Sequence, residues 1–243
     1  MLRSFDDAWR EAPGAGSHGR EAPIGRFRTL RKRETLYRAG DLAGTLYEVV
    51  SGSLFIYRLL DDGRRQVVEF VREGALFGFS AGAEHASSCE ALEPARLAVH
   101  QKSLALAEPE LQRRLFRQFE CDVGALHDHA LTLGRKTAAE KVATLLARMS
   151  AAGGGSHCQS MAAGGGPISI RLSMTREIIA DYLGLTVETV SRTLTEMERQ
   201  GLISIGLRRG EIKVASPCRL CRAALSDTCA LGPAERPQMA RAN

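Results

Sequence analysis

Glu188, Ser191 and Arg192 are the residues of this chain whose types and spacing carry the most chemistry. They stand at i, i+3 and i+4, which brings side chains to one face of a helix. In a DNA major groove, arginine donates two hydrogen bonds to guanine O6 and N7. Glutamate accepts from cytosine N4, and a serine hydroxyl meets several bases. The same spacing also suits an ordinary surface helix with a solvated Glu–Arg pair, so it does not choose between the two by itself.

The surrounding sequence supplies the elements that would present them. Arg176–Leu183 reads as a short helix with Ile178, Ile179 and Tyr182 at helical spacing. A break follows at Gly184-Leu185-Thr186. A second helix, Val187–Arg199, has Val187, Val190, Leu194 and Met197 on one face and is ended by Gly201. Helix, glycine-containing turn and helix, over about residues 176–195, make a DNA-reading helix-turn-helix. Thr186 is placed to cap the second helix, so that its first turn protrudes. Thr175, Thr186, Val187 and Thr189 are the flanking or phosphate-contacting candidates. Leu202 to Ala215 then alternates as a hairpin around Arg208-Arg209-Gly210, a small β-wing. Arg208 and Arg209 either meet backbone phosphates or form an ordinary charged tip.

With 243 residues the chain is long enough for two domains. A net charge of +5 permits nucleic-acid binding without requiring it. Aromatic content of 5% argues against a binder that stacks single-stranded bases. No apolar run of about 18 residues marks a membrane span, and residues 1–23 lack the apolar core of a secretory signal and read as a disordered leader. A cytoplasmic location with reduced cysteines is expected. No nucleophile–base arrangement, phosphate loop or catalytic metal motif is present, so no enzyme is expected.

Residues 24–108 look all-β. Thr45-LYEVV, Ser53-LFIYRLL and Gln66-VVEFV are separated by turn signals, as in a barrel or sandwich. Over 109–133 the period changes. Leu111, Leu115, Phe119, Val123, Leu126, Ala130 and Leu133 form a narrow apolar seam, suited to a dimer-forming coiled coil. The plainer reading is packing against the chain's own barrel. Thr137–Met149 continues as a helix with Ala138, Val142, Leu145 and Leu146 inward. Residues 151–167 are a glycine-rich loop containing His157 and Cys158. The DNA-binding region spans 134–215, and 216–243 reads as a loose cysteine-containing tail.

An N-terminal β domain, a long dimer helix and a C-terminal winged helix, in that order, resemble the CRP/FNR family of bacterial transcription regulators. The resemblance is carried by Gly40-DLAGTLYEVVSGSLFIYRLLDDGRRQVVEF-Val71, Gly74-ALFGFSAGAEH-Ala86 and Ile179-ADYLGLTVETVSRTLTEMERQGLI-Ser204. Within the family, IYRLLDDGRRQVV and FGFSAGAEH look most like the FixK branch, which regulates nitrogen fixation and microaerobic respiration. The implied fold class is α+β: a cyclic-nucleotide-binding-like β-roll, a long dimerisation helix and a winged helix-turn-helix. The implied partners are double-stranded DNA, RNA polymerase and a second copy of the chain. The family's reading motif falls on Glu188, Ser191 and Arg192. Val187 stands where CRP-type readers carry an arginine, so the resemblance implies a TTGAT/ATCAA inverted repeat.

The effector features of the family do not transfer. Phe79 stands where cyclic-AMP binders of the family place a glutamate, and no arginine lies between Arg72 and Arg96 to neutralise a phosphate. No cysteine precedes Cys89, and Ala98 stands where the family's iron–sulfur members place a β-roll ligand, so no cofactor is expected. Cys218, Cys221 and Cys229 offer a Cys-x-x-Cys unit that either ligates a metal or redox centre or consists of inert thiols. A regulator gated by a small molecule or by such a centre is the alternative. His127 and His129, at i, i+2, do not share a helix face, and His85 reads as an ordinary loop histidine.

Overall fold

The computed structural model describes residues 26–151, 167–206 and 210–225. They divide into two compact units. One holds the described residues up to Gly134 together with Ser173–Thr189. The other holds those of Arg135–Leu172 and from Val190 onward.

The first unit is built on eight antiparallel strands: β1 (Arg26–Leu30), β2 (Thr35–Tyr37), β3 (Thr45–Ser51), β4 (Ser53–Leu59), β5 (Arg65–Arg72), β6 (Leu76–Phe77), β7 (Ser88–Ala91) and β8 (Ala95–Gln101). They form two four-stranded sheets, ordered β1-β8-β3-β6 and β2-β7-β4-β5. This is a β-roll. Period-two alternation turns Leu54, Ile56 and Val71 inward with Leu30, Val49 and Leu97, and these pack into one core cluster. One row across the second sheet runs Tyr37, Cys89, Ile56, Glu69 by strand register. The row is apolar or weakly polar except for the Glu69 carboxyl. Burial and the carboxylate of Asp122 push that carboxyl up to about 7, and burial pushes the Cys89 thiol upward.

A single turn, α1 (Lys102–Ala105), leads to α2 (Pro109–Arg135), one continuous helix that Pro109 opens. The apolar seam does not behave as one surface. Leu111 and Leu115 are buried with Leu46, Leu76 and Ala105 in a second cluster of the roll. The exposed stripe begins at Phe116 and continues through Phe119, Val123 and Leu126. Both stretches fit a repeat of three and four, so periodicity could not tell that the first two leucines serve the chain's own roll.

The helix is fastened at its start by Arg114, whose Nη2 lies 2.7 Å from Glu48 Oε1 on β3. His100 Nε2 sits 3.7 Å from the other carboxylate oxygen. Burial works against the ionised Glu48, yet the adjacent His100 and the hydrogen bonds from Arg114 overcome it and hold the carboxyl down at about 2. His129 is buried on α2, stacked on the Tyr182 ring, and His85 is buried against Tyr37, so both are packed side chains.

The second unit contains α3 (Ala138–Ala151), with Val142, Ala143, Leu145 and Leu146 buried. Thr137 and Glu140 form a capping box: Glu140 N donates to Thr137 Oγ1 and Thr137 N to Glu140 Oε2. Strand β9 (Ile168–Arg171) joins β10 (Ile203–Ile205) and β11 (Glu211–Val214) in a sheet ordered β10-β11-β9.

The stretch after Ser216 corrects the expectation of a loose tail. Pro217–Ala223 is helix α6, capped by the Ser216 hydroxyl with Pro217 in its first turn. Leu220, Cys221 and Ala224 are buried. The Ala224 carbonyl accepts from Lys136 Nζ at 2.8 Å. A serine cap followed by proline is a helix start signal, and the proline content had pointed the other way. The leader, the glycine-rich loop with His157 and Cys158, and the tail beyond 225 lie outside the described residues.

Candidate nucleic-acid interface

The hairpin residues fold as α4 (Arg176–Leu183) and α5 (Val187–Arg199). Thr175, expected as a phosphate contact, caps α4 by accepting from Ile178 N. At the other end Gly184 takes φ 60°, ψ 45°, and its N–H bonds the Ala180 carbonyl. A side chain would strain that left-handed conformation, so glycine is what lets the chain turn within three residues. Thr186 caps α5 as expected. Thr189 N donates to Thr186 Oγ1 at 3.2 Å, and the two hydroxyls lie 3.0 Å apart.

Val190, Leu194 and Met197 are the buried face of α5. Glu188, Ser191 and Arg192 are all exposed. Val187, which periodicity groups with the apolar face, is 40% exposed. It is the first residue after the Thr186 cap, where the helix begins. An aliphatic side chain held out in that position suits contact with a thymine methyl.

The wing strands pair Ile203 with Val214 and Ile205 with Ile212. Glu198 Oε1 of α5 accepts from Ile205 N at 2.9 Å, tying the helix to the wing. Gly210 has φ 82°, and a Cβ there would lie 2.4 Å from the Leu172 carbonyl oxygen, so the wing closes only with glycine. Arg208 and Arg209 lie outside the described residues.

One basic residue escaped the sequence reading. Arg176 occupies the first helical position of α4, where the helix dipole disfavours a cation. Its Nη1 is buried without a hydrogen-bond partner among the described residues. An arginine at a helix start with no acidic residue beside it in α4 except Glu177 was the available signal.

Of the tail thiols, Cys221 is buried in α6, Cys229 lies outside the described residues, and so does the side chain of Cys218. Among the described residues no group of three His, Cys, Asp or Glu side chains is placed to hold a metal. Nor is any described helix long and apolar enough to cross a membrane.

A β-roll, a long helix and a winged helix-turn-helix with an exposed Glu–Ser–Arg face define a DNA-binding transcription regulator. Comparison with known proteins agrees. The family model for the cyclic nucleotide-binding domain matches residues 27–105, and that for the Crp-like helix-turn-helix domain matches 140–223. The nitrogen fixation regulation protein FixK of Rhizobium meliloti is 37% identical over 177 residues, covering 73% of this chain and 77% of that protein. FixK of Bradyrhizobium diazoefficiens is 34% identical, covering 81% of each. The solved structure of FixK2 from Bradyrhizobium japonicum superposes with a TM-score of 0.71 at 31% identity, over 82% of this chain and 97% of that one. A CRP-family regulator from Thermus thermophilus shares the fold, with a TM-score of 0.69 at 23% identity, over 82% of this chain and 97% of that one. The chain belongs to the CRP/FNR family of transcription regulators.

Proposed function

We propose that this regulator is a homodimer that reads a TTGAT/ATCAA inverted repeat and activates nitrogen-fixation and microaerobic genes by recruiting RNA polymerase. The observation that carries the reading is the capped, exposed first half of α5. Arg192 takes the guanine of the G·C pair, Glu188 the cytosine side, and Ser191 with Val187 the thymine. Thr175, Thr189, Arg176 and the wing arginines Arg208 and Arg209 serve the phosphates, which set register without reading sequence. The exposed stripe of α2 supports the dimer, since Phe116, Phe119, Val123 and Leu126 form an a/d seam that the described residues leave largely uncovered. Two reading helices about one helical turn apart match an inverted repeat. The biological role rests on the FixK relatives.

The roll is a poor site for a cyclic nucleotide. Its inner row carries the Glu69 carboxyl, and no arginine lies between Arg72 and Arg96 to neutralise a phosphate. Titration calorimetry with cyclic AMP is expected to give no heat, and micromolar binding would reverse this reading. The DNA reading is tested by mobility shift. Arg192→Ala is expected to lose roughly 1–3 kcal/mol on the repeat and to relax specificity at the G·C pair. Equal affinity of the wild type for the repeat and a scrambled duplex would end the proposal.

A further inference from the structure

The outer face of β4–β5 is not a solvent face. Alternation puts Phe55 on the side opposite Leu54 and Ile56, yet Phe55 is fully buried and stands outside the roll's core cluster. What covers that face includes α4, the first helix of the DNA-reading hairpin. The Phe70 ring, directly across from Phe55 in the strand register, packs on Tyr182 with centroids 4.8 Å apart. His129 of α2 also stacks on Tyr182, at 4.2 Å and nearly parallel. Gln66 Nε2 donates to the Tyr182 carbonyl at 3.2 Å. Arg65 Nε donates to Asp181 Oδ2 at 2.7 Å, with side-chain exposures of only 23% and 21%. Its guanidinium lies over the Phe55 and Tyr57 rings, at 5.5 and 5.3 Å from their centroids, so the roll's own rings hold it as well as Asp181. Ahead of the helix, Ser173 Oγ donates to Glu93 Oε1 at 2.6 Å, and the other Glu93 oxygen accepts from Ser53 Oγ.

These contacts grip the hairpin at separate points. Ser173 is held just before α4, Asp181 and Tyr182 in its last turn. Contacts spread along a helix fix its rotation as well as its place, which one contact cannot do. Gly184, Leu185 and Thr186 are all that separate α4 from α5, and the first turn of α5 up to Thr189, with Glu188, belongs to the same compact unit as the roll. Base reading needs side chains placed within about 0.5 Å and 10–20°.

We propose that the outer face of β5 is a cradle that positions α4, and with it the start of the reading helix. Arg65, Gln66, Phe70 and His129 are then positioning residues for DNA recognition that touch no base. The inference rests on the reading of α5 as the DNA-contacting helix. It adds a determinant of specificity that lies in the roll.

The test uses the full chain, with fluorescence anisotropy on the TTGAT/ATCAA repeat and on a scrambled duplex. Arg65→Asp and Asp181→Arg each place like charges face to face. Each is expected to weaken binding to the repeat roughly tenfold, within the range of an ordinary coupling between sites. Binding to the scrambled duplex, which needs charge but no exact placement, is expected to follow net charge instead, slightly down in Arg65→Asp, slightly up in Asp181→Arg and back to the wild-type level in the double reversal. The double reversal restores the pair and is expected to recover most of the loss, the signature of a direct interaction. Tyr182→Leu, which keeps an apolar side chain but loses both ring contacts, is expected to lower the same specificity ratio. It decides the matter if a reversal variant shows no cooperative melt. Unchanged specificity in the variants, tighter binding to the repeat, or no recovery in the double reversal would each overturn the cradle. A wild type that cannot tell the duplexes apart would remove the DNA reading and the cradle together. A discriminating wild type with equally discriminating variants removes the cradle alone.

Discussion

The two stretches of α2 share one apolar period and meet different fates. Leu111 and Leu115 are sealed into the roll, with Arg114 clamped to Glu48 between them. From Phe116 to Leu126 the same rhythm faces outward, and the described residues leave it largely uncovered. The contrast teaches that a helical seam records only that something apolar must lie against it. The partner is chosen by what the rest of the chain brings alongside. Beside the start of α2 the roll offers Leu46 and Leu76. Further along, the described residues leave the stripe open, and it is there that the proposed second copy would lie.

The difference can be probed from both sides. The largest effect is expected at the sealed stretch. Leu115→Ala should destabilise the fold by about 2–5 kcal/mol in urea unfolding, because it opens a cavity that neighbours only partly refill. A cost below about 1 kcal/mol would mean that Leu115 is not core. At the open stretch the prediction reverses: Leu126→Glu should leave the unfolding midpoint of the monomer nearly unchanged. Sedimentation should instead show dimer affinity falling roughly 100-fold, about 2.7 kcal/mol. A variant that stays dimeric would break the comparison.

Titration sharpens it further. The Glu48 carboxyl is held low in the fold, so its contribution is complete above the ordinary carboxylate pKa and is lost as pH falls from about 4.5 to about 2. Glu48→Gln should flatten that limb of a stability–pH curve; an unchanged limb would mean the clamp contributes nothing. Glu69 works in the opposite direction. Its folded carboxyl binds a proton more tightly than the unfolded one, so its own contribution is complete below about 4.5 and is lost as pH rises toward about 7. Glu69→Gln should remove that decline, the smallest of these effects.

The secondary structure was legible because it depends on neighbours in sequence. Alternation in Ser53-LFIYRLL, the period of three and four over α2, the Thr186 cap and the glycines at 184 and 210 are local rules, and the elements follow them. So is the outward Glu–Ser–Arg face of α5, since the apolar residues of that helix name its other side. Helix α6 was also written locally, as Ser216-Pro217, and was hidden by its company of prolines and small residues.

Other features depended on groups far apart in sequence. Nothing near Phe55 says that an outward phenylalanine will be buried, because Arg65 lies over it and Phe70 across from it meets a helix more than a hundred residues away. Nothing near Tyr182 says that it will lie against Phe70 and His129. Hydrogen bonding and chain sterics act over a few residues and can be read off their order. Burial is non-directional and accepts any apolar surface that arrives. Which surface arrives is decided only when the whole chain is packed.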